Sequence, residues 1–231
     1  MRINILVCDW FEGLLPGFIP TFPHLFYQLF DSVCPQPSYQ LFDVQKGAFP
    51  DDLKQDELYI VAGSRAGAYE DIPWVKAVLE FIRRGYNGNI KMIGICFGHQ
   101  AIAQALGGKV EPSPKGWGSG ARRSEIVHPK ALQFFPDGEL CLYYNHNDRV
   151  VTLPPMAEQI ATSGFCENEA FVIGHNILCF QGHPEYTEAY MKHVIDTAEA
   201  PQNIKEKSTE SLKEKPMNEE AAKWMIHLVH H

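Results

Sequence analysis

Three short segments are apolar at nearly every position and rich in β-branched residues: Ile3–Cys8, Leu58–Ala62 and Ile90–Ile95. A strand with apolar residues at alternate positions needs one covered face. A strand that is apolar throughout needs both faces covered, as in a parallel sheet flanked by helices. Between these segments the period lengthens to that of a helix. In Pro73–Arg84 the apolar residues Val75, Val78, Leu79 and Ile82 fall at helical spacing; Pro73 suits a first turn, and Gly85 and Gly88 suit the exit. Phe22–Val33 reads as an earlier helix, with a strand near Tyr39–Val44 after it. The alternation predicts an α/β fold, a mainly parallel open sheet with helices on both faces.

After Gly108 the pattern changes. Strand-like segments crowd together at Arg123–Val127, Glu139–Tyr144, Gln159–Thr162, Phe171–Ile173 and Ile177–Gln181, and helical spacing returns only at Thr187–Ala198. This predicts a small antiparallel extension packed on or beside the main sheet. Pro201–Pro216 is polar and charge-mixed and reads as a linker or surface excursion. A last helix is expected from Glu219, with Asn218 as its cap and Ala221, Trp224, Met225 and Leu228 as a stripe for core packing. The expected organisation is one domain over residues 1–200, with a polar linker and C-terminal helix over 201–231 packed on it. The terminal His230-His231 pair is too short to read as a tag.

Charge excludes some functions. With 20 Lys and Arg against 28 Asp and Glu, the net charge is −8, and no basic run occurs. Such a chain is not expected to bind nucleic acid or an anionic membrane surface. No apolar run has the length of a membrane span. Met1–Asp9 turns polar too soon for a secretory signal, which makes a cytoplasmic location the default expectation. The six Cys then read as buried or reactive thiols rather than as a disulfide framework. The His and Cys residues lack paired ligand spacing, so no structural metal is expected, and nothing in the sequence calls for a cofactor.

The chemistry concentrates in Lys91–Gln100, where an apolar strand runs into Gly94-Ile95-Cys96-Phe97-Gly98 and then into the helical run Ala101–Leu106, ended by Gly107-Gly108. This is a nucleophile elbow carrying Cys in place of Ser. Gly94 and Gly98 allow strand and helix to approach closely, and the helix N-terminus favours the thiolate of Cys96. A second element, Cys179–Glu185, ends a strand with His183-Pro184-Glu185. Pro184 biases His183 toward an extended backbone, on which residues two apart face the same side. His183 can then address a nucleophile with Glu185 behind it as orienter. His99 lies three residues past Cys96 and is no metal site. Trp10, Phe11, Leu14 and Leu15, with Gly13 and Pro16, form an apolar loop after the first strand, either a lid or a packed loop.

At these residues the chain resembles the class I glutamine amidotransferases, whose hallmark pair is a G-x-C-x-G-x-Q elbow and a later H-P-E, here Gly94–Gln100 and His183–Glu185. Further matches over most of the first 190 residues are Val61–Arg65, Gly107–Val110, Gly116-Trp117 with Gly120, and Asn145–Val150. The loop and elbow look most like stand-alone members similar to the GMP synthase amidotransferase domain, a group that includes γ-glutamyl peptidases. Residues after about Ala200 match nothing in the family pattern. Two positions depart from it: Ser64 replaces the usual second glycine of the oxyanion loop, and Asn147 replaces a common glycine beside the pocket.

The resemblance implies hydrolysis of a γ-glutamyl amide of glutamine or a conjugate through a Cys96 thioester, with His183 as base and acid and Glu185 as orienter. It implies an oxyanion hole from Gly63, Ser64 and Phe97. It implies a small-molecule pocket lined by Gln100, Asn145, His146 and Asp148. A solvated helix face remains the alternative for Gln100, and an Asx-capped turn for the other three. As partner it allows a separate synthase that receives ammonia. No P-loop motif occurs in the chain, and a non-catalytic protein of the same fold is the third reading.

Overall fold

The computed structural model describes residues 1–230, so the final residue of the terminal His pair lies outside it. The elements in chain order are β1 (Arg2–Val7), α1 (His24–Asp31), β2 (Ser38–Asp43), β3 (Leu58–Val61), α2 (Pro73–Asn87), β4 (Lys91–Ile95) and α3 (Phe97–Ala105). Then follow β5 (Lys109–Pro112), β6 (Gly118–Ile126), β7 (Glu139–His146), β8 (Asp148–Thr152), β9 (Ala157–Thr162), β10 (Ala170–Ile173) and β11 (Ile177–Phe180). The chain closes with α4 (Glu188–Thr197), α5 (Gln202–Ser211) and α6 (Asn218–His230).

Among the described residues, nine strands form one sheet in the order β2-β1-β3-β4-β11-β10-β9-β6-β7. The first five run parallel. Their side chains alternate between two apolar cores. Ile3, Ile5, Leu58, Ile60 and Ile93 pack with α1, α4 and α6 on one face. Leu6, Tyr59, Val61 and Met92 pack with α2 and α3 on the other. This two-sided burial is why the strands read as continuous apolar runs. In α2, Pro73 stands in the first turn, and Val75, Val78, Phe81 and Ile82 are buried.

Of the two placements expected for the antiparallel extension, the structure has it beside the main sheet and not on it. β11 is parallel to β4 on one edge and antiparallel to β10 on the other, so β10, β9, β6 and β7 extend the same sheet. Only β5 and β8 stand apart, as a two-stranded ribbon.

The expected polar linker is instead largely helical. Gln202–Ser211 forms α5, which lies against β6. Its attachment is polar: the Ala121 amide donates to Ser211 Oγ at 2.8 Å, and Ser208 Oγ donates to the Ser119 carbonyl at 3.3 Å. Gly120, at φ +100°, makes the approach possible, since a Cβ there would stand 2.3 Å from Ser211 Oγ. The stripe Ala221, Trp224, Met225 and Leu228 of α6 is buried in the core it shares with α1. Asn218 is not the expected cap. Its Oδ1 accepts no hydrogen bond, while its Nδ2 donates to the Tyr186 carbonyl at 2.7 Å. Among the described residues no helix is long and apolar enough to cross a membrane.

Candidate active site

The elbow is built as its glycines require. Cys96 sits between β4 and α3 at φ 52°, ψ −102°, a strained backbone that turns the chain sharply. A Cβ on Gly98 would stand 1.9 Å from the Val61 carbonyl oxygen, and one on Gly94 would stand 2.7 Å from the Gly98 oxygen. Strand and helix therefore approach as only two glycines allow. The Gln100 amide donates to the Cys96 carbonyl, so the amides of Phe97, Gly98 and His99 precede the first helical hydrogen bond. They leave the positive end of α3 beside the thiol.

β11 brings the second element to the same place. Phe180 lies opposite Ile95 across the parallel pair, and the Cys96 amide donates to the Phe180 carbonyl at 2.9 Å. The His183 amide then donates to the Tyr143 carbonyl at 2.7 Å, which fixes the strand end against β7. His183 Nδ1 lies 2.7 Å from Glu185 Oε1, and both side chains are buried. The His183 ring stacks on Tyr186 with centroids 3.9 Å apart. Its Nε2 is buried, and Cys96 is the hydrogen-bonding neighbour that acts on the ring from the side away from Glu185. Burial disfavours the imidazolium, but the charges of Glu185 and Cys96 outweigh it and push His183 above the ordinary histidine range. A thiol beside an imidazole that a buried carboxylate orients is an arrangement able to perform nucleophilic acyl transfer.

Other predicted residues gather around a cleft of about 290 Å³ that Cys96 and His183 line. Gly63 faces both: a Cβ there would lie 3.2 Å from His183 Cε1 and 3.8 Å from Cys96 Cβ. Ser64 lines the cleft, and its Oγ accepts from the Ala66 amide. Gln100 also lines it and is 3% exposed, which overturns the solvated-face alternative. Its Nε2 donates to the Asp148 carbonyl at 3.0 Å and to Gln181 Oε1 at 3.1 Å.

Asn145, His146 and Asp148 line the cleft too. Asn145 Oδ1 accepts from Trp117 Nε1 at 2.8 Å. His146 is held between the Asp148 carbonyl and the Arg122 guanidinium, at 2.9 Å each. Burial, aided by the Arg122 charge, depresses it to about 3, so it is a neutral acceptor toward Arg122. Burial raises the Asp148 carboxyl; a hydrogen bond from Tyr69 opposes this and the Glu70 charge adds to it.

Sequence reasoning missed several residues of the cleft wall. Tyr186, which stacks on the imidazole, directly follows the His-Pro-Glu run, but the run itself gives no sign of it. Tyr69 and Glu70 lie on a loop without a motif. Arg65 pairs with Asp9 across two strand ends, a contact that no local pattern announces. The loop after β1 is packed in part. Trp10 Nε1 donates to Asp43 Oδ2 and Phe11 packs on Phe22, while Leu14 and Phe18 are exposed. His99 is buried against Phe171 and pushed down to about 3 by burial. All six cysteines are free and buried.

Comparison with known proteins identifies the family and the fold. The family described as Glutamine amidotransferase class-I matches residues 50–197. γ-Glutamyl peptidase 4 of Arabidopsis thaliana is 36% identical over 181 residues, covering 74% of this chain and 71% of that protein. γ-Glutamyl peptidase 3 of the same plant is 35% identical over 166 residues, 68% of this chain and 67% of that one. A glutamine amidotransferase from Thermotoga maritima has the same fold: TM-score 0.77 and 23% identity, over 100% of this chain and 99% of that one. The chain belongs to the class I glutamine amidotransferase family.

Proposed function

We propose that the protein is a thiol hydrolase that cleaves γ-glutamyl amides whose leaving group is larger than ammonia. The observation that carries the reading is the buried 2.7 Å contact between His183 and Glu185 beside Cys96 on its strained turn. With its proton already held on His183 Nε2, the Cys96 sulfur attacks the γ-carbonyl carbon. A C–S bond forms, and the oxyanion is met by amides of Phe97 and of the Gly63-Ser64 loop. As the C–N bond breaks, His183 returns the proton to the departing amine. Water then attacks the thioester, with His183 taking its proton, and releases glutamate and the thiol. Each oxyanion donor contributes about 3 kcal/mol in such sites.

The likeness to two γ-glutamyl peptidases supports a leaving group beyond ammonia, and so does Asn147 on the cleft wall. The purified chain, assayed alone, is expected to release glutamate from γ-glutamyl dipeptides with a higher kcat/KM than from glutamine. A higher kcat/KM for glutamine, or activity that arises only when a synthase protein is added, selects the ammonia-donor reading instead.

A further inference from the structure

The residues lining the cleft fall into two contact groups of different chemistry. Gln100, Tyr69 and Glu70 gather on Asp148, an acidic group rich in acceptors. Arg65, Phe11 and Tyr186 form the other. Contacts tie this second group to the imidazole. Tyr186 stacks on His183, Phe22 meets Tyr186 edge-on at 6.5 Å, and Phe22 packs on Phe11 at 4.5 Å. The Arg65 guanidinium lies over the Phe11 ring at 5.6 Å. Asp9, which holds Arg65, also acts electrostatically on Tyr190, and Tyr190 packs edge-on against Tyr186 at 4.7 Å. Arg65 therefore occupies the flank of the cleft that carries His183. In the proposed reaction that flank receives the leaving amine, because His183 must hand it a proton.

Arg65 is fixed but not used up. Its Nε and Nη2 engage Asp9 Oδ2 and Oδ1 at 2.7 and 2.9 Å, and Asp9 itself is 5% exposed. The pair takes one edge of the planar fork. Among the described residues Nη1 has no partner, and the side chain is 60% exposed. By contrast, Arg122 is committed to Glu169 and His146 and stacks on Tyr144. Arg65 is the only Lys or Arg among the described residues lining the cleft. A guanidinium with a free edge, prevented from swinging away, is a receptor for a carboxylate.

We propose that Arg65 determines specificity by binding a carboxylate on the leaving group. The preferred substrates are then γ-glutamyl amino acids and peptides, whose freed amine carries its own carboxylate. The assignment rests on the γ-glutamyl hydrolase reading. The test compares a γ-glutamyl dipeptide with its C-terminal carboxamide, each by kcat/KM, on the wild-type chain. The free acid is expected to be preferred by about ten- to hundred-fold, the worth of one charge-assisted hydrogen bond. Arg65→Met should bring the acid-to-amide ratio near one, and Arg65→Lys should leave it between the two. The double variant D9N/R65M repeats the test without a lone buried carboxylate. A wild-type ratio near one, or a ratio that survives Arg65→Met, overturns the role of Arg65 and leaves the hydrolase reading standing. If neither dipeptide form is cleaved while glutamine is, both readings fall together.

Discussion

His183 and Glu185 are two residues apart in sequence and 2.7 Å apart between Nδ1 and Oε1, with both side chains buried. A carboxylate so placed fixes the imidazole tautomer and stabilises the imidazolium as it forms. It has no route to a carbonyl at Cys96 except through the ring. Glu185→Gln should therefore lower kcat by about 10²- to 10⁴-fold, and His183→Ala should lower it further. Equal and complete loss in both, in variants whose circular dichroism matches wild type, would count against an orienting role.

The cysteines should separate sharply by reactivity. Burial pushes Cys8, Cys141, Cys166 and Cys179 above the ordinary thiol range. A glutamine-like electrophile should label one thiol per chain, at Cys96, as read by peptide mass spectrometry. Cys8→Ala and Cys141→Ala should each keep most of the turnover. Labelling spread over several cysteines in the native protein would contradict the assignment.

Gly98 has no steric latitude, because an added Cβ would meet the Val61 carbonyl oxygen at 1.9 Å. Gly98→Ala should lower the urea unfolding free energy by about 3 kcal/mol or more. Gly17→Ala, whose Cβ meets nothing within 4 Å, should cost under about 1 kcal/mol. Similar midpoints for both variants would mean that elbow and strand are not packed as described.

The pH dependence of stability carries a sign. The buried His99 has a depressed pKa, near 3, so between about pH 6.5 and pH 3 the unfolded chain takes up a proton that the folded chain refuses. Its contribution lowers stability as pH falls. His183, raised in the fold, acts oppositely: its contribution is full below the unfolded value and drains away as pH rises through the folded one. Comparing His99→Leu with wild type isolates the first effect. Between pH 7 and pH 5, wild type should lose about 2 kcal/mol more than the variant. Parallel losses would show that His99 titrates normally in the fold.

Some of this molecule could be read from its sequence because the relevant residues are neighbours in the chain. The elbow and His-Pro-Glu each compress a strand end, a turn and a reactive side chain into a few positions. Continuous apolar runs likewise announced strands covered on both faces. α5 escaped because it docks through Ser208 and Ser211 on a glycine backbone, so it carries almost no apolar period. Whether the antiparallel extension lies on the main sheet or beside it stayed open because strand adjacency is not periodic: nothing local says that β11 pairs with both β4 and β10. The Asp9–Arg65 pair spans 56 positions and exists only once the ends of β1 and β3 are side by side.

In the proposed reaction Cys96 forms a thioester with the γ-glutamyl group while the chain works alone. Acid-quenching the enzyme during turnover of a γ-glutamyl dipeptide and digesting it for mass spectrometry tests this directly. One γ-glutamyl adduct is expected, on the peptide that contains Cys96, released by hydroxylamine and absent from Cys96→Ala. Sustained hydrolysis without that adduct, or near-full hydrolysis by Cys96→Ala, would contradict it.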